Sequence, residues 1–573
     1  MTRSPTAFGE STREAWLDVA VVGAGIAGIG MGAQLKRSGR DDFLIFERAT
    51  ELGGTWRDNT YPGVACDIPS QLYSYSFRPK AHWSRRFAPG AEILDYLRDT
   101  ARAEGLEPHL RLGEPLTNAR WDDESGCWRL TTPRGEYCAR ALVMAAGRLS
   151  EPKLPAIVGL DTFAGRAFHS ARWDDAPLEG ARVGVVGTGA SAVQLLPEVA
   201  RRAASVTVFQ RSAAWVLPRG DRAFAPGDPQ PDRAELAAEA ERLFDARIAG
   251  SAALEALRGR ALAHLRAQIA DAGLRAALTP DYELGCKRAV FSDDYYPALQ
   301  RPNAVLEASA LERVDGSTAV AASGARYDLD VLIFATGFET TRPPFARLVA
   351  GRGGESLAAH WSAGMTSHAS TVMSGFPNLF VLDGPNAALG HHSAFEIIEA
   401  QLGYVLGALD HLDARRADGD PAPLEVGAAA EAAYSAEIDR LAAGTVWLRG
   451  GCSSWYRDEA SGRLTLLWPA RVSEFRERYG VFDPAPFAQV SEQRDRRGAA
   501  HDPAREVVAR HQGHPHDQGR AHDEPDDHPD GKPVHTAIHV PTLVAARDSR
   551  TTLPKDSRGM AAAVLGIEVD RPD

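Results

Sequence analysis

Residues 18–28 read DVAVVGAGIAG, and the fold follows from how this run is built. Asp18 to Val22 is almost continuously apolar, the pattern of a parallel strand buried on both faces. Gly23, Gly25 and Gly28 follow. The first allows a tight turn, the second lets backbone approach a pyrophosphate, and the third lets a helix pack on the strand. A helix is expected from Ile26 to about Ser38, its first amides aimed at the phosphates and Gly39 closing it. A second strand, 43–46, ends on Glu47. A carboxylate there, about twenty residues past the glycines, suits the two ribose hydroxyls of an adenosine.

The construction returns at 182–192, RVGVVGTGASA, with Gly187, Gly189 and Ala192 in the three turn positions. Its second strand, 206–209, runs into Gln210-Arg211-Ser212, so an arginine stands near the place that Glu47 holds in the first unit. A carboxylate repels a ribose 2′-phosphate, whereas a guanidinium grips it in bidentate fashion. The first turn therefore reads as a site for FAD and the second as a site for NADPH, and two such sites in one chain imply electron transfer between them.

Composition narrows the class. The 573 residues have length for about three or four domains. With 44% apolar and 24% charged residues the chain has the balance of a soluble globular protein. A net charge of -12 without a dense Lys/Arg run argues against nucleic acid as a partner. No apolar run approaches the ~18 residues of a membrane span, and residues 1–16 read as a loose arm without a signal-peptide core. The five cysteines are odd in number and widely spaced, with no C-x-x-C. A reduced, cytoplasmic protein without a thiol-redox or metal centre is the expectation.

Between and beyond the turns, 51–56 (ELGGTW) and 61–77 read as ordered, aromatic loop. A helix is expected at 91–105 and strands at 128–132 and 141–145, with Pro152 and Pro155 in a linker. Residues 221–280 read as a helical insertion covering the active site. GCKRAVFSDDYY follows at 285–296, then strands at 304–307 and 331–334, the latter ending in ATGF. A strand at 376–382, a helix at about 395–412, and a loop with a hairpin at 451–463 complete the core. The expected fold is α/β with two Rossmann-like dinucleotide-binding domains: FAD-binding parts at 1–155 and 331–487, NADPH-binding parts at 156–220 and 281–330, and the insertion at 221–280. Residues 488–573, with eight of the 17 histidines between His501 and His539, read as a disordered tail.

Between the two glycine turns lies FAGRAFHSARWD, 163–174. Its Phe163, Gly165, His169, Trp173 and Asp174 fill the long fingerprint F-x-G-x-x-x-H-x-x-x-W-(P/D) of the class B flavoprotein monooxygenases. The chain most closely resembles the Baeyer–Villiger monooxygenases among them. GGTW, YPG before Cys66-Asp67, Lys287-Arg288 before a tyrosine pair, and ATGF also match, over roughly residues 15–485. Many members carry arginine before the Cys-Asp pair, where this chain has Ala65.

The resemblance implies oxygen insertion beside a ketone carbonyl through a C4a-peroxyflavin, giving an ester or lactone, with a small-molecule ketone and dioxygen as partners and a monomer or homodimer as the enzyme. It implies that Gly23, Gly25, Gly28, Glu47, Thr55, Trp56, Asp67 and Tyr73 hold FAD. It assigns Gly187, Thr188, Gly189, Ser191, Arg211, Ser212 and Lys287 to NADPH. Arg288 matches the family's active-site arginine, and Asp67 is the carboxylate expected to orient it. His169 reads as a domain joint in preference to a general base. The rival functions are an N- or S-oxygenating flavin monooxygenase and, more distantly, a reductase without oxygenation or a non-catalytic FAD-binding protein.

Overall fold

The computed structural model describes residues 15–487. β1 (Ala15–Val22) begins inside the stretch expected to be a loose arm, because pairing with a long neighbouring strand extends it to Ala15. α1 (Ile26–Arg37) crosses over to β2 (Phe43–Glu47), parallel to β1. The turn between them requires glycine. Gly23 sits at φ +107°, and a Cβ on Gly28 would lie 1.8 Å from the Gly23 carbonyl oxygen. A short α2 (Thr55–Asp58) precedes α3 (Gly90–Ala103), which buries Ile93, Tyr96, Leu97, Thr100 and Ala101 at helical spacing.

β3 (Leu110–Leu112), β4 (Asn118–Asp122), β5 (Cys127–Thr132) and β6 (Gly135–Met144) complete most of the first sheet. Strands β3-β2-β1-β6 run parallel, and β6-β5-β4 continue as an antiparallel meander. The inner strands of the parallel half, β2, β1 and the second half of β6, bury mostly apolar side chains.

The second sheet starts with β7 (Arg166–His169) at its edge. β8 (Arg182–Val186), α4 (Ala190–Arg202) and β9 (Ser205–Phe209) repeat the dinucleotide turn. After the short β10 (Val216–Leu217) comes the insertion: α5 (Arg233–Arg242), α6 (Ala252–Gln268) and α7 (Ala272–Ala277). Asp232, Ser251 and Asp271 each cap their helix by accepting a backbone amide with the side chain.

β11 (Val290–Phe291) pairs with β10, and α8 (Tyr295–Leu299) leads to β12 (Ala304–Glu307). A three-stranded meander, β13 (Leu311–Asp315), β14 (Thr318–Ala321) and β15 (Arg326–Asp328), carries no signal in the sequence reading. Its Leu311, Val314 and Ala319 cover one face of the second sheet through Phe209, Leu332 and Phe334. β16 (Val331–Phe334) completes a parallel sheet of order β12-β9-β8-β16-β7.

The chain then returns to the first sheet. β17 (Val349–Ala350) adds to β4, α9 (Leu357–His360) follows, and β18 (Leu379–Val381) adds to β6. α10 (Ala394–Ala417) is longer than expected. α11 (Ala428–Ala442), α12 (Val446–Arg449) and α13 (Val472–Tyr479) close the described chain. In place of a hairpin at 451–463 there is an irregular loop with one bridge, Arg457 to Leu464. Among the described residues no helix is long and apolar enough to cross a membrane. The expectation for the tail lies outside them.

The expectation of reduced thiols is overturned. Cys127 and Cys138 are disulfide-bonded, and so are Cys286 and Cys452. The first pair sits on adjacent antiparallel strands, and the second joins the Lys287-Arg288 segment to the 451–463 loop across 166 residues. Spacing along the chain conceals both, since strand pairing and domain return bring the sulfurs together. Cys66 is the free, buried cysteine. Alkylation of the denatured protein without reductant should therefore label one cysteine, Cys66, and all five only after reduction; peptide mass mapping reads this directly.

Candidate active site

At the first turn, Glu47 is buried, and its carboxylate accepts the Ala24 amide at 2.9 Å and the Ala49 amide at 2.9 Å, with Arg57 3.1 Å away. This fixes the acid beside the turn. Gly25 and Gly54 face each other, a Cβ on the former lying 3.5 Å from the Cα of the latter. α1 has no side-chain cap and no acidic residue in its first turn, so its leading amides and dipole are open to an anion. The residues present fit a dinucleotide pyrophosphate. Behind Thr55, the Trp56 and Tyr73 rings meet edge to face at 5.4 Å, and Tyr73 meets Phe395 at the start of α10 at 5.0 Å.

The second turn has the same open N-terminus on α4, and a Cβ on Gly189 would meet nothing within 4 Å. Three elements converge past β9. Lys287 Nζ donates to Ser212 Oγ at 3.0 Å, and the Thr188 hydroxyl donates to the Ser212 carbonyl at 2.9 Å. Burial lowers the Lys287 pKa, and the Arg211 charge lowers it further. The Asp281 carboxylate offsets this only in part, so Lys287 and Arg211 leave positive charge beside the turn that suits a phosphate. Ser191 is the second residue of α4 and lies beside the Tyr61 hydroxyl, whose pKa burial raises to about 12.

Arg288 and Asp67, 221 residues apart, form a bidentate pair: Nε to Oδ2 at 2.9 Å and Nη2 to Oδ1 at 2.8 Å. The Asp67 charge raises the Arg288 pKa above its ordinary value against the opposing effect of burial. The loop carrying Asp67 is fastened to α4 by Gln194, a residue with no signal in the sequence. Its Oε1 accepts the Tyr61 hydroxyl at 2.9 Å, and its Nε2 donates to the Ala65 carbonyl at 3.0 Å. The contact to Ala65 is made through backbone, which its methyl side chain leaves clear. Arg219 Nη2 donates to the Cys66 carbonyl at 3.0 Å, a second tie from the other sheet's side of the chain.

The fingerprint residues lie on and around the edge strand β7 of the second sheet. His169 ends β7 opposite Phe334 of β16, and its ring packs edge-on against Phe338 of the ATGF turn at 5.6 Å. Its Nδ1 accepts the Ala171 amide at 3.1 Å. Trp173 packs edge-on to Phe168 at 5.2 Å, and Asp174 pairs with Arg166 at 3.2 Å. A Cβ on Gly165 would lie 2.3 Å from the Asp330 carbonyl oxygen and 2.8 Å from the Phe163 ring. These contacts set where the two strands β7 and β16 leave the sheet.

Burial pushes the His169 pKa down to about 4, and it also holds His368, His391 and His392 below the ordinary 6.5. The unfolded chain then binds more protons than the native state below pH 6.5, so stability falls on acidification. The urea midpoint should drop as pH is lowered from 6.5 towards 4, and His169→Gln should flatten that slope; a midpoint independent of pH across this window would contradict the assignment.

Comparisons with known proteins converge. A family profile described as pyridine nucleotide-disulphide oxidoreductase matches residues 20–222. A Baeyer-Villiger monooxygenase of Streptomyces coelicolor is 43% identical over 493 residues, 82% of this chain and 94% of that protein. Another, of Pseudomonas aeruginosa, is 38% identical over 481 residues, 82% and 90% of the two chains. Among solved structures, an oxidised steroid monooxygenase bound to NADP is 33% identical with a TM-score of 0.70, covering 81% of this chain and 96% of that one. A closed cyclohexanone monooxygenase is 27% identical with a TM-score of 0.71, covering 84% and 98%. The sheet order, the paired dinucleotide turns and these full-length relatives agree: the chain belongs to the Baeyer–Villiger monooxygenase family.

Proposed function

We propose that the chain is an FAD- and NADPH-dependent monooxygenase that inserts one oxygen atom beside a ketone carbonyl, giving an ester or lactone. The bidentate Arg288–Asp67 pair carries the reading, because it stands between the loop behind the first turn and the segment that bears Lys287. FAD belongs at the Glu47 turn, where a carboxylate suits free ribose hydroxyls, and NADPH at the Thr188, Ser212 and Lys287 cluster with Arg211 beside it. When bound and reduced by NADPH, FAD supplies the dioxygen-activating chemistry.

The protein's own contribution is electrostatic and steric. Addition of an oxygen nucleophile to a carbonyl builds negative charge on oxygen. The Arg288 guanidinium cannot lose its proton near neutrality, so it meets that charge as a fixed donor. Asp67 positions it: using Nε and one Nη2 hydrogen on the carboxylate leaves the remaining donors for the cleft. α5, α6 and α7 of the insertion keep water from the reacting atoms, where it would divert the oxidant to hydrogen peroxide.

Arg288→Met should lower ester formation by ~10²–10³-fold, the usual cost of one preorganised donor, while NADPH oxidation continues with release of hydrogen peroxide. Ester formed per NADPH consumed is the measurement. Unchanged coupling removes Arg288 from the chemistry, and retained sulfide or amine oxygenation without any ester in the parent enzyme selects the heteroatom function instead.

A further inference from the structure

Arg247 ends a short 3₁₀ turn, Leu243–Arg247, in the insertion, and neither the fold nor the proposed chemistry uses its charge. The residue is 8% exposed. Nη2 donates to the Gly390 carbonyl at 2.8 Å. Nη1 is buried with no hydrogen-bond partner, and among the described residues no carboxylate pairs with the guanidinium. Burial lowers its pKa to about 10, which still leaves it cationic near neutrality. An uncompensated buried charge is costly and marks a place where a partner is missing.

Its surroundings define that place. A Cβ on Gly285 would lie 3.5 Å from Nη1, and one on Gly390 would lie 3.5 Å from Nε and 2.9 Å from the Trp447 ring, so side chains at either position would crowd the guanidinium. Gly285 lies three residues before Arg288. The buried Tyr456 phenol feels the charges of both Arg288 and Arg247, which puts the two arginines around one neighbourhood. His391 is 4% exposed, and both of its ring nitrogens are buried without partners. Its ring packs on Phe244 at 5.3 Å, and burial with the Arg247 charge keeps it neutral. A neutral imidazole has one N–H to donate. The phosphate-binding features, the N-termini of α1 and α4 and the Lys287–Ser212 cluster, are built from other residues.

We propose that Arg247 and His391 bind a carboxylate carried by the substrate, so that the enzyme's ketones are oxo acids, anchored by their charge while the carbonyl lies at Arg288. This rests on the function proposed above. The guanidinium offers the strong charge-assisted bond, the imidazole a second donor, and Trp447 and Phe244 the apolar wall for the chain between the two groups.

The test uses the FAD-loaded enzyme and three matched pairs: 4-oxopentanoate, 5-oxohexanoate and 7-oxooctanoate, each with its methyl ester. Product formation gives kcat and KM, and calorimetric titration onto the oxidised enzyme with NADP⁺ gives affinity without turnover. At least one acid should be favoured over its ester. Arg247→Gln should reduce that preference by ~10- to 100-fold, the range for losing a charged hydrogen-bond partner, mainly through KM and Kd. Arg247→Lys should restore part of it. Equal use of acid and ester by the parent enzyme overturns the proposal. So does an Arg247→Gln variant that weakens NADP⁺ binding and keeps the acid-to-ester ratio, which assigns the guanidinium to the nucleotide. If no ketone is oxygenated yet an acid binds in an Arg247-dependent way, the anion site stands and the ketone-oxidising function fails.

Discussion

The ion pair between Arg288 and Asp67 joins a loop leaving the first sheet to a segment that belongs with the second, and the proposed site depends on this contact. Asp67 leaves the first sheet on a long aromatic loop, and Arg288 is held in the segment that runs into β11. Neither loop has regular structure to define its path, so each depends on cross-ties. Gln194 fastens the first to α4, and the Cys286–Cys452 disulfide and the Lys287–Ser212 bond fasten the second. A bidentate pair tolerates little misalignment. Its geometry therefore reports that both loops, and the sheets behind them, are in register.

The arginines near the cleft divide into compensated and uncompensated charges. Arg288 has Asp67, and Arg148 has the partly buried Asp383, whose pKa desolvation raises against the pull of the arginine. Arg247 has only a carbonyl. In a region of reduced dielectric that asymmetry leaves a net positive field.

Much of this was legible in the chain because dinucleotide binding constrains neighbouring residues tightly. Gly23, Gly25, Gly28 and Glu47 fall within thirty residues, and their roles are local steric and charge requirements. The pairing of Asp67 with Arg288 was accessible only through resemblance, since 221 residues separate them and no local pattern links them. Gln194 and Arg247 gave no signal. Each is a single polar residue on a helix or turn that donates to a backbone carbonyl far along the chain, and such a contact leaves no mark in sequence. The cysteines misled for a related reason. Cys127 and Cys138 need the β5–β6 register, and Cys286 and Cys452 need the chain's return from the second sheet to the first.

The Cys286–Cys452 bond has an effect on how this enzyme can diversify. The segment bearing Lys287 and Arg288 is covalently yoked to the loop that carries Trp455 and Tyr456. A change of length or course in that loop pulls on the segment bearing Arg288, so the two inherit alterations as one block. Recombination between relatives that exchanged only the C-terminal loop would strand a half-cystine beside Arg288. Altered selectivity is better sought in side chains projecting from the insertion and from residues 389–395, which bear on the same cleft without being stitched to the arginine.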